Sequence, residues 1–465
     1  MSNPPSNRAE LRKVVLTSFI GTTIEWYDYF IYGTAAALVF NKLFFPTFDP
    51  LAGTMAAFAT YSVGFCARPI GGIVFGHFGD RIGRKTVLVL TLVIMGFATF
   101  LVGLLPTYES IGVAAPICLS VLRFCQGLGV GGEWGGAVLM AVEHGDGKRR
   151  GFYGSWAQAG VPAGLILATG VFAICTSLPE QKFLEWGWRI PFLLGILLTG
   201  IGLFIRLNVK ESPIFEQLRS SEDVSAESPF RQLMRTNRRE ILLAMGARFG
   251  ENISFYILTV FIITYSVEVL KTGQRSVLNA ILIASAIALF TIPGFALLSD
   301  KIGRRPVYLA GALLMMAAAF PFFWLIESGS PTSIALAVIG GLSIAHAAMY
   351  GPQAAMLSEL FGTRVRYSGA SLGFQLISPF AGGIAPLIAT SLLSWSNNQT
   401  WPVACYLIFS SLITAIAVWL APETYRVSLS SSHISKDDVT LPDIEPVKQG
   451  LDTAQPKLET LYEGH

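Results

Sequence analysis

Glu25, Asp28, Tyr29 and Tyr32 fall at i, i+3, i+4 and i+7 of an otherwise apolar stretch, so a helix there sets two carboxyls and two phenols on one face. Burial favours the protonated form of a carboxyl and a nearby guanidinium favours the ionised form, so an arginine that moves between conformations can load and unload a proton. A permanent ion pair that locks helices together is the structural alternative. Arg68, Arg123 and Arg248 lie in apolar stretches, as do the acids Glu133 and Glu251. Arg68 and Arg248 could offer a substrate carboxylate forked, charge-assisted hydrogen bonds. A pairing of Arg68 with Glu133 serves equally well. Three interior arginines against four interior acids leave a near balance, so an anionic substrate is expected to enter with a proton. The stripe Arg248, Glu251, Asn252 and Phe255 repeats the helical spacing, with Tyr256 beside it. Gln126, His346, Gln353 and Gln375 add polar groups for binding a small molecule, and interhelical hydrogen bonding explains each as well. His346 could also relay protons.

The elements that carry these groups follow from composition. Apolar residues make up 52% of the chain and charged residues 14%, with a mean hydropathy of +0.55, where a soluble domain carries about 25% charged residues. Lipid is therefore the expected solvent. A spanning helix takes roughly 20 residues, and twelve stretches are long enough: 15–40, 52–76, 86–106, 113–142, 153–178, 188–207, 240–270, 277–298, 306–327, 332–358, 367–394 and 401–421. The first is too long and too charged for a cleaved signal peptide and is expected to stay in the mature protein. Glu25, Arg68, Glu133, Arg248 and Glu251 each lie eight to eleven residues from the same end of their spans, roughly 12 to 17 Å inward. Asp28 and Arg123 lie deeper. Charges of the first, second, fourth and seventh helices thus meet in one layer near mid-membrane.

Of 33 Lys and Arg, three (Arg68, Arg123, Arg248) lie well inside spans and, counting those at span ends with the adjoining side, five (Lys42, Lys182, Arg189, Lys271, Arg275) fall on one side, leaving 33 − 3 − 5 = 25 on the other. The positive-inside rule puts that side, and both termini, in the cytoplasm of a cell membrane. Gly79-Asp80-Arg81-Ile82-Gly83-Arg84-Lys85 returns 220 positions later (300 − 80) as Ser299-Asp300-Lys301-Ile302-Gly303-Arg304-Arg305, and Glu143 and Arg150 recur as Glu359 and Arg366. The chain reads as a duplication. Residues 1–14 form a start, 15–207 a six-helix bundle, 208–239 a polar and basic linker, 240–421 a second bundle and 422–465 a flexible tail. Gly127, Gly131 and Gly135, and again Gly132 and Gly136, make small-residue stripes that allow close helix contact.

The repeated loops, with Arg123-Phe124-Cys125-Gln126-Gly127-Leu128-Gly129, resemble the major facilitator superfamily over residues 13–421. The stretches Glu25 to Gly33, Gly129 to Ala137, Trp186 to Phe192 and Arg366 to Gly373 resemble its metabolite:proton symporter family. That resemblance implies an all-α fold of two pseudo-symmetric six-helix bundles and proton-driven uptake of a small organic acid or zwitterion, since members carry shikimate, 2-oxoglutarate, citrate, or proline and betaine. It makes Arg123 the favoured partner of Asp28 or Glu25 in proton coupling. It also implies cytoplasmic latches at Asp80 with Arg84 and Asp300 with Arg304, matched by Glu143 and Glu359 with Arg150 and Arg366. A helix-junction carboxylate can pair there with arginine or with a helix N-terminus. The alternatives are osmolyte uptake of betaine or proline, against which the heptad-free tail argues, and proton-driven export.

No cofactor is expected beyond the proton gradient, and a monomer in lipid is the expected state. The five cysteines show no metal spacing, and Gly127, Gly129 and Gly132 follow no strand, which excludes a dinucleotide site. No hydrolase or phosphate-binding motif occurs, so an enzyme is not expected. The net charge of +3 reports topology, with no nucleic-acid partner. Paired acids and arginines in duplicated halves suit alternating access better than a channel filter. Asn398-Gln399-Thr400 matches a glycosylation acceptor.

Overall fold

In hydrocarbon each backbone N–H and C=O must bond within its own segment, so apolar runs of this length become helices. The computed structural model describes residues 8–82, 84–133, 138–139, 141–142, 148–207, 235–361 and 366–427, and contains no strand among them. Twelve long segments follow one another. They are α1 (Arg8–Ala35, continued by Ala36–Phe40), α2 (Pro50–Ile82), α3 (Arg84–Leu104), α4 (Ala114–Gly131), α5 (Arg150–Cys175) and α6 (Ile190–Leu207), then α7 (Arg238–Val269), α8 (Gln274–Ile302), α9 (Arg304–Glu327), α10 (Pro331–Glu359), α11 (Arg366–Leu376, resumed at Pro379–Gly383 and Ala385–Trp395) and α12 (Trp401–Leu420). Ten of these are long and apolar enough to cross a membrane. The others are α1, with its inward acids, and α3, whose apolar part Val89–Leu104 is shorter. Each segment overlaps one expected span. Residues 1–7, 208–234 and 428–465 of the expected start, linker and tail lie outside the described residues.

The repeat is visible in the packing. In the first half α1 lies on α5, α2 on α4 and α3 on α6; in the second, α7 lies on α11, α8 on α10 and α9 on α12. Widened π-helical turns recur too, at Ala36–Phe40 of α1 and Ile257–Phe261 of α7, 221 positions apart (257 − 36). Such turns re-aim side chains and gather at functional sites. The halves meet chiefly through α5 with α8 and α2 with α11, and both belong to one unit, Met1–His433.

Small residues set the spacing of α2 and α4. A Cβ at Gly127 would overlap the carbonyl of Gly64, and one at Gly131 that of Arg68. The backbones therefore touch, which carries Arg68 and Arg123 into the same layer. Gly135 and Gly136 lie outside the described residues.

Candidate functional site

α1 turns Glu25, Asp28, Tyr29 and Tyr32 inward, all of them buried. α2 adds Tyr61, Phe65 and Arg68 at i, i+4 and i+7, one helical face, and α4 adds Arg123 and Gln126. The guanidinium carbons of Arg68 and Arg123 lie 4.1 and 3.8 Å from the centre of the Tyr29 ring. Arg68 also lies against Phe65 at 4.4 Å, and Arg123 against Tyr32 at 4.3 Å and Tyr61 at 4.5 Å. Such cation–π contacts contribute about 2 kcal/mol or more once desolvated. Burying an ion costs several kcal/mol, so rings alone do not offset it.

Hydrogen bonds supply little of the remainder. Arg123 Nη1 donates to Gln126 Oε1 at 3.0 Å, Gln126 Nε2 to Thr99 Oγ1 at 2.7 Å, and Thr99 Oγ1 to the Met95 carbonyl at 3.0 Å. Nε and Nη2 of Arg123, and all three nitrogens of Arg68, are buried without a partner. Both carboxyl oxygens of Asp28 share that condition, beside Thr99 of α3 and Gly195 of α6. So do the hydroxyls of Tyr29 and Tyr61, whereas Tyr32 is matched with Thr60 at 2.8 Å. Buried polar groups are normally paired; this cluster is poised to accept one more polar body.

The second half is built from the same residue types, but here the carboxylate is bonded on both oxygens, while Arg248 Nε and His346 Nδ1 stay buried without a partner. Glu251 takes Nε2 of His346 on one oxygen at 2.8 Å, and on the other Arg248 at 3.3 Å and Gln353 at 3.0 Å. Arg248 Nη1 also donates to Gln353 Oε1 at 3.1 Å, and its guanidinium lies over Phe374. Gln353 Nε2 donates to the Tyr308 hydroxyl, which donates to the Ala247 carbonyl. The His346 ring rests on Phe255 and Tyr350. Asn252 Nδ2, the Tyr256 hydroxyl and Gln375 Oε1 are buried and unpaired. Tyr256 meets Phe65 at 5.3 Å and Tyr61 at 6.1 Å, and Gln375 Nε2 reaches the Gly131 carbonyl at 3.5 Å, so the two clusters share one aromatic seam.

Three pairings differ from those that depth and motif suggested. Glu133 forms its ion pair with Arg206, in the last turn of α6, and not with Arg68. Arg123 faces phenol rings and Gln126, with no ion pair to Glu25 or Asp28 among the described residues. Glu359 takes Arg304, at 3.1 and 3.2 Å, while Arg366 donates to the carbonyls of Ser358 and Phe361. In the sequence Arg206 reads as a topology signal, because it stands at a span end; its place inside an apolar window, like that of Arg68, is the feature that marks it. Tyr61 was findable from its spacing to Phe65 and Arg68.

At the basic end, Asp300 accepts from the backbone N–H of Gly151 and of Phe152, each at 2.9 Å, and from Arg304 Nη1 at 2.7 Å. A carboxylate at an N-terminus is favoured by the helix dipole and the free N–H groups, so α8 is tied to α5 across the halves. Glu423 caps α9 through the N–H of Arg304 and of Arg305, Thr424 donates to Glu359, and Arg150 reaches the Val427 carbonyl. The side chains of Asp80 and Arg84, and Glu143, lie outside the described residues. At the opposite end Ser62 Oγ donates to the Gly383 carbonyl at 2.6 Å, joining α2 to α11. Contacts thus join the halves at both ends of the charged layer.

Comparison with known proteins agrees with this architecture. The family described as Major Facilitator Superfamily matches residues 18–375 and 282–449. A shikimate transporter of Escherichia coli K12 is 41% identical over 417 residues, 89% of this chain and 95% of that protein. The inner membrane metabolite transport protein YhjE of the same organism is 40% identical, covering 90% and 95%, and its proline/betaine transporter is 35% identical, covering 92% and 87%. Among solved structures, the proton:xylose symporter XylE with a bound bromo-deoxyglucose superposes with a TM-score of 0.72 at 18% identity, over 91% of this chain and 98% of that one.

Proposed function

This chain belongs to the major facilitator superfamily and is a multi-pass membrane transporter of small metabolites, and within that class we propose that it imports a small organic acid together with a proton. Its metabolite:proton symporter resemblance agrees with the relatives it matches. The proposed membrane is the bacterial inner membrane, with both termini cytoplasmic, in line with the excess of Lys and Arg at one end. The proposed state is a monomer, and the proton gradient is the energy source.

The observation that carries the proposal is the unmatched charge around Tyr29. Four carboxyls face four guanidiniums across the layer. Glu133 is matched by Arg206 and Glu251 by Arg248, which leaves Glu25 and Asp28 against Arg68 and Arg123. Asp28 has no cation on either oxygen, only the Thr99 hydroxyl beside it, and an ionised carboxylate there would cost several kcal/mol. With Asp28 protonated the layer carries one net positive charge, and a substrate carboxylate on Arg68 and Arg123 neutralises it. Proton and anion therefore stabilise each other, and linkage makes that help reciprocal. The phenols, Asn252, Gln375 and Gln353 are suited to hydroxyls or to further carboxylates, so shikimate-like acids and di- or tricarboxylates both remain candidates. Asp300 on the start of α5 serves as a latch that holds the basic end shut while the layer exchanges with the outside.

Uptake of betaine or proline is the second reading, favoured by the aromatic walls, since rings attract quaternary ammonium groups. Arg68 and Arg123 would take the carboxylate of either zwitterion, but they already lie against the rings an ammonium would need. Uptake into proteoliposomes of shikimate, 2-oxoglutarate, citrate and betaine, with and without an inward pH gradient, tests both. Gradient-driven accumulation of an acid supports the proposal; accumulation of betaine alone, or substrate efflux driven by inward protons, overturns it.

A further inference from the structure

Arg206 is the cation that pairs with Glu133 at the basic side of the layer. It sits in the last turn of α6, with its side chain 12% accessible, against 2% for its partner Glu133. The guanidinium lies along α1: a Cβ on Gly21 would stand 3.7 Å from Arg206 Nη2. Gly21 is one turn from Glu25, and Glu25 is one turn from Asp28. Glu25 lies within the electrostatic reach of Arg68 and Arg206, and its neighbour Asp28 adds a carboxyl. One face of α1 thus carries a ladder toward the basic end, from Asp28, without a cation, to Glu25, with Arg68 on one side and Arg206 on the other, to the Glu133–Arg206 pair.

Resting on the proton-coupled reading above, we propose that Arg206 is a positioning residue of the proton exit, holding Glu133 and stabilising Glu25 as a carboxylate once the proton has left. The transfer balances: the O–H bond of Asp28 breaks as one forms on Glu25, and Glu25 then gives that proton to water at the basic end. Substrate contacts Arg68 and Arg123 throughout; Arg206 acts only through the acids. At 3.7 Å from a Cβ on Gly21 the guanidinium lies in van der Waals reach of the α1 backbone. The rung is therefore set by tertiary packing, with α6 delivering a cation to the helix that carries the acids.

The test uses full-length protein in liposomes with labelled shikimate, measuring exchange at equal pH and accumulation under an inward gradient of one pH unit. One unit drives about a tenfold gradient for one proton per anion, so the ratio of accumulation to exchange is expected to fall about tenfold in Arg206→Gln and to recover in Arg206→Lys. Arg206→His carries the test if the glutamine variant does not fold. Its imidazole is charged below about pH 6.5 and neutral above, so coupling should be present in acid and lost in mild alkali within one protein. Undiminished coupling in Arg206→Gln, or coupling in Arg206→His that does not follow pH, overturns the inference while the symport reading stands. Wild-type protein that carries shikimate with no response to the gradient overturns the symport reading and this inference together.

Discussion

Asp28→Asn is the sharpest test of the charge arrangement. Asn is close in shape to a protonated aspartate and stays neutral at every pH. Both Asp28 oxygens are buried without a cationic partner, and the Thr99 hydroxyl beside them suits an amide as well as a carboxyl, so the substitution breaks no ion pair. If Asp28 were instead an ionised member of a buried pair, breaking it would cost about 3 to 5 kcal/mol. The expected thermal stability of the purified variant is therefore that of the wild type or slightly higher. Transport should split: exchange of substrate across liposomes at equal pH persists and loses its pH dependence, while uphill accumulation fails. A gradient of one pH unit stores about 1.4 kcal/mol per proton, about a tenfold concentration ratio, and a monoanion moving with one proton is electroneutral, so membrane potential adds nothing. Wild-type accumulation near tenfold should thus fall to about onefold. Undiminished uphill uptake by Asp28→Asn would refute the assignment of the proton to this carboxyl, and a large loss of stability would refute its neutral state.

Other substitutions probe the remaining parts. Arg123→Ala removes the donor to Gln126 and the cation beside Tyr29, and should abolish or uncouple transport; a normal proton-to-substrate ratio measured with a pH dye excludes its role. Arg68→Lys keeps the charge and loses the fork, and charge-assisted hydrogen bonds of about 1.5 to 3 kcal/mol imply a 10- to 100-fold weaker affinity, read from the concentration dependence of uptake. Asp300→Asn weakens a charged cap of similar strength between α8 and α5, so cysteines placed near Gly151 should label faster; unchanged labelling would mean that this contact does not hold the basic end. Gly131→Leu forces a side chain into the Arg68 carbonyl and should prevent folding, seen as loss of the monodisperse species in size-exclusion chromatography.

Much of this arrangement was legible in the chain itself. Hydrophobic length set the twelve segments, because hydrocarbon leaves the backbone no other way to bond. The 3.6-residue period placed Glu25, Asp28, Tyr29 and Tyr32 on one face of α1, and Arg248 with Glu251 on one face of α7. Distance from the span ends put these charges in one layer. The repeated Asp80 and Asp300 motifs disclosed the two halves, and Asp300 does pair with both arginine and a helix N-terminus.

Partners across helices were decided by tertiary structure. Whether Glu133 meets Arg68 or Arg206, and whether Arg123 faces an acid or a ring, depends on how each helix is rotated and shifted against its neighbours. Depth along one helix carries no such information. The contact of α2 with α4 through glycine brings both guanidiniums to Tyr29, and the end of α6 delivers Arg206 to Glu133. That packing also separates two similar sets of residues into one whose carboxylate, Glu251, meets a cation and polar donors and one whose carboxyl, Asp28, meets no cation. Residue type and spacing are properties of one helix, whereas pairing belongs to the interface between two.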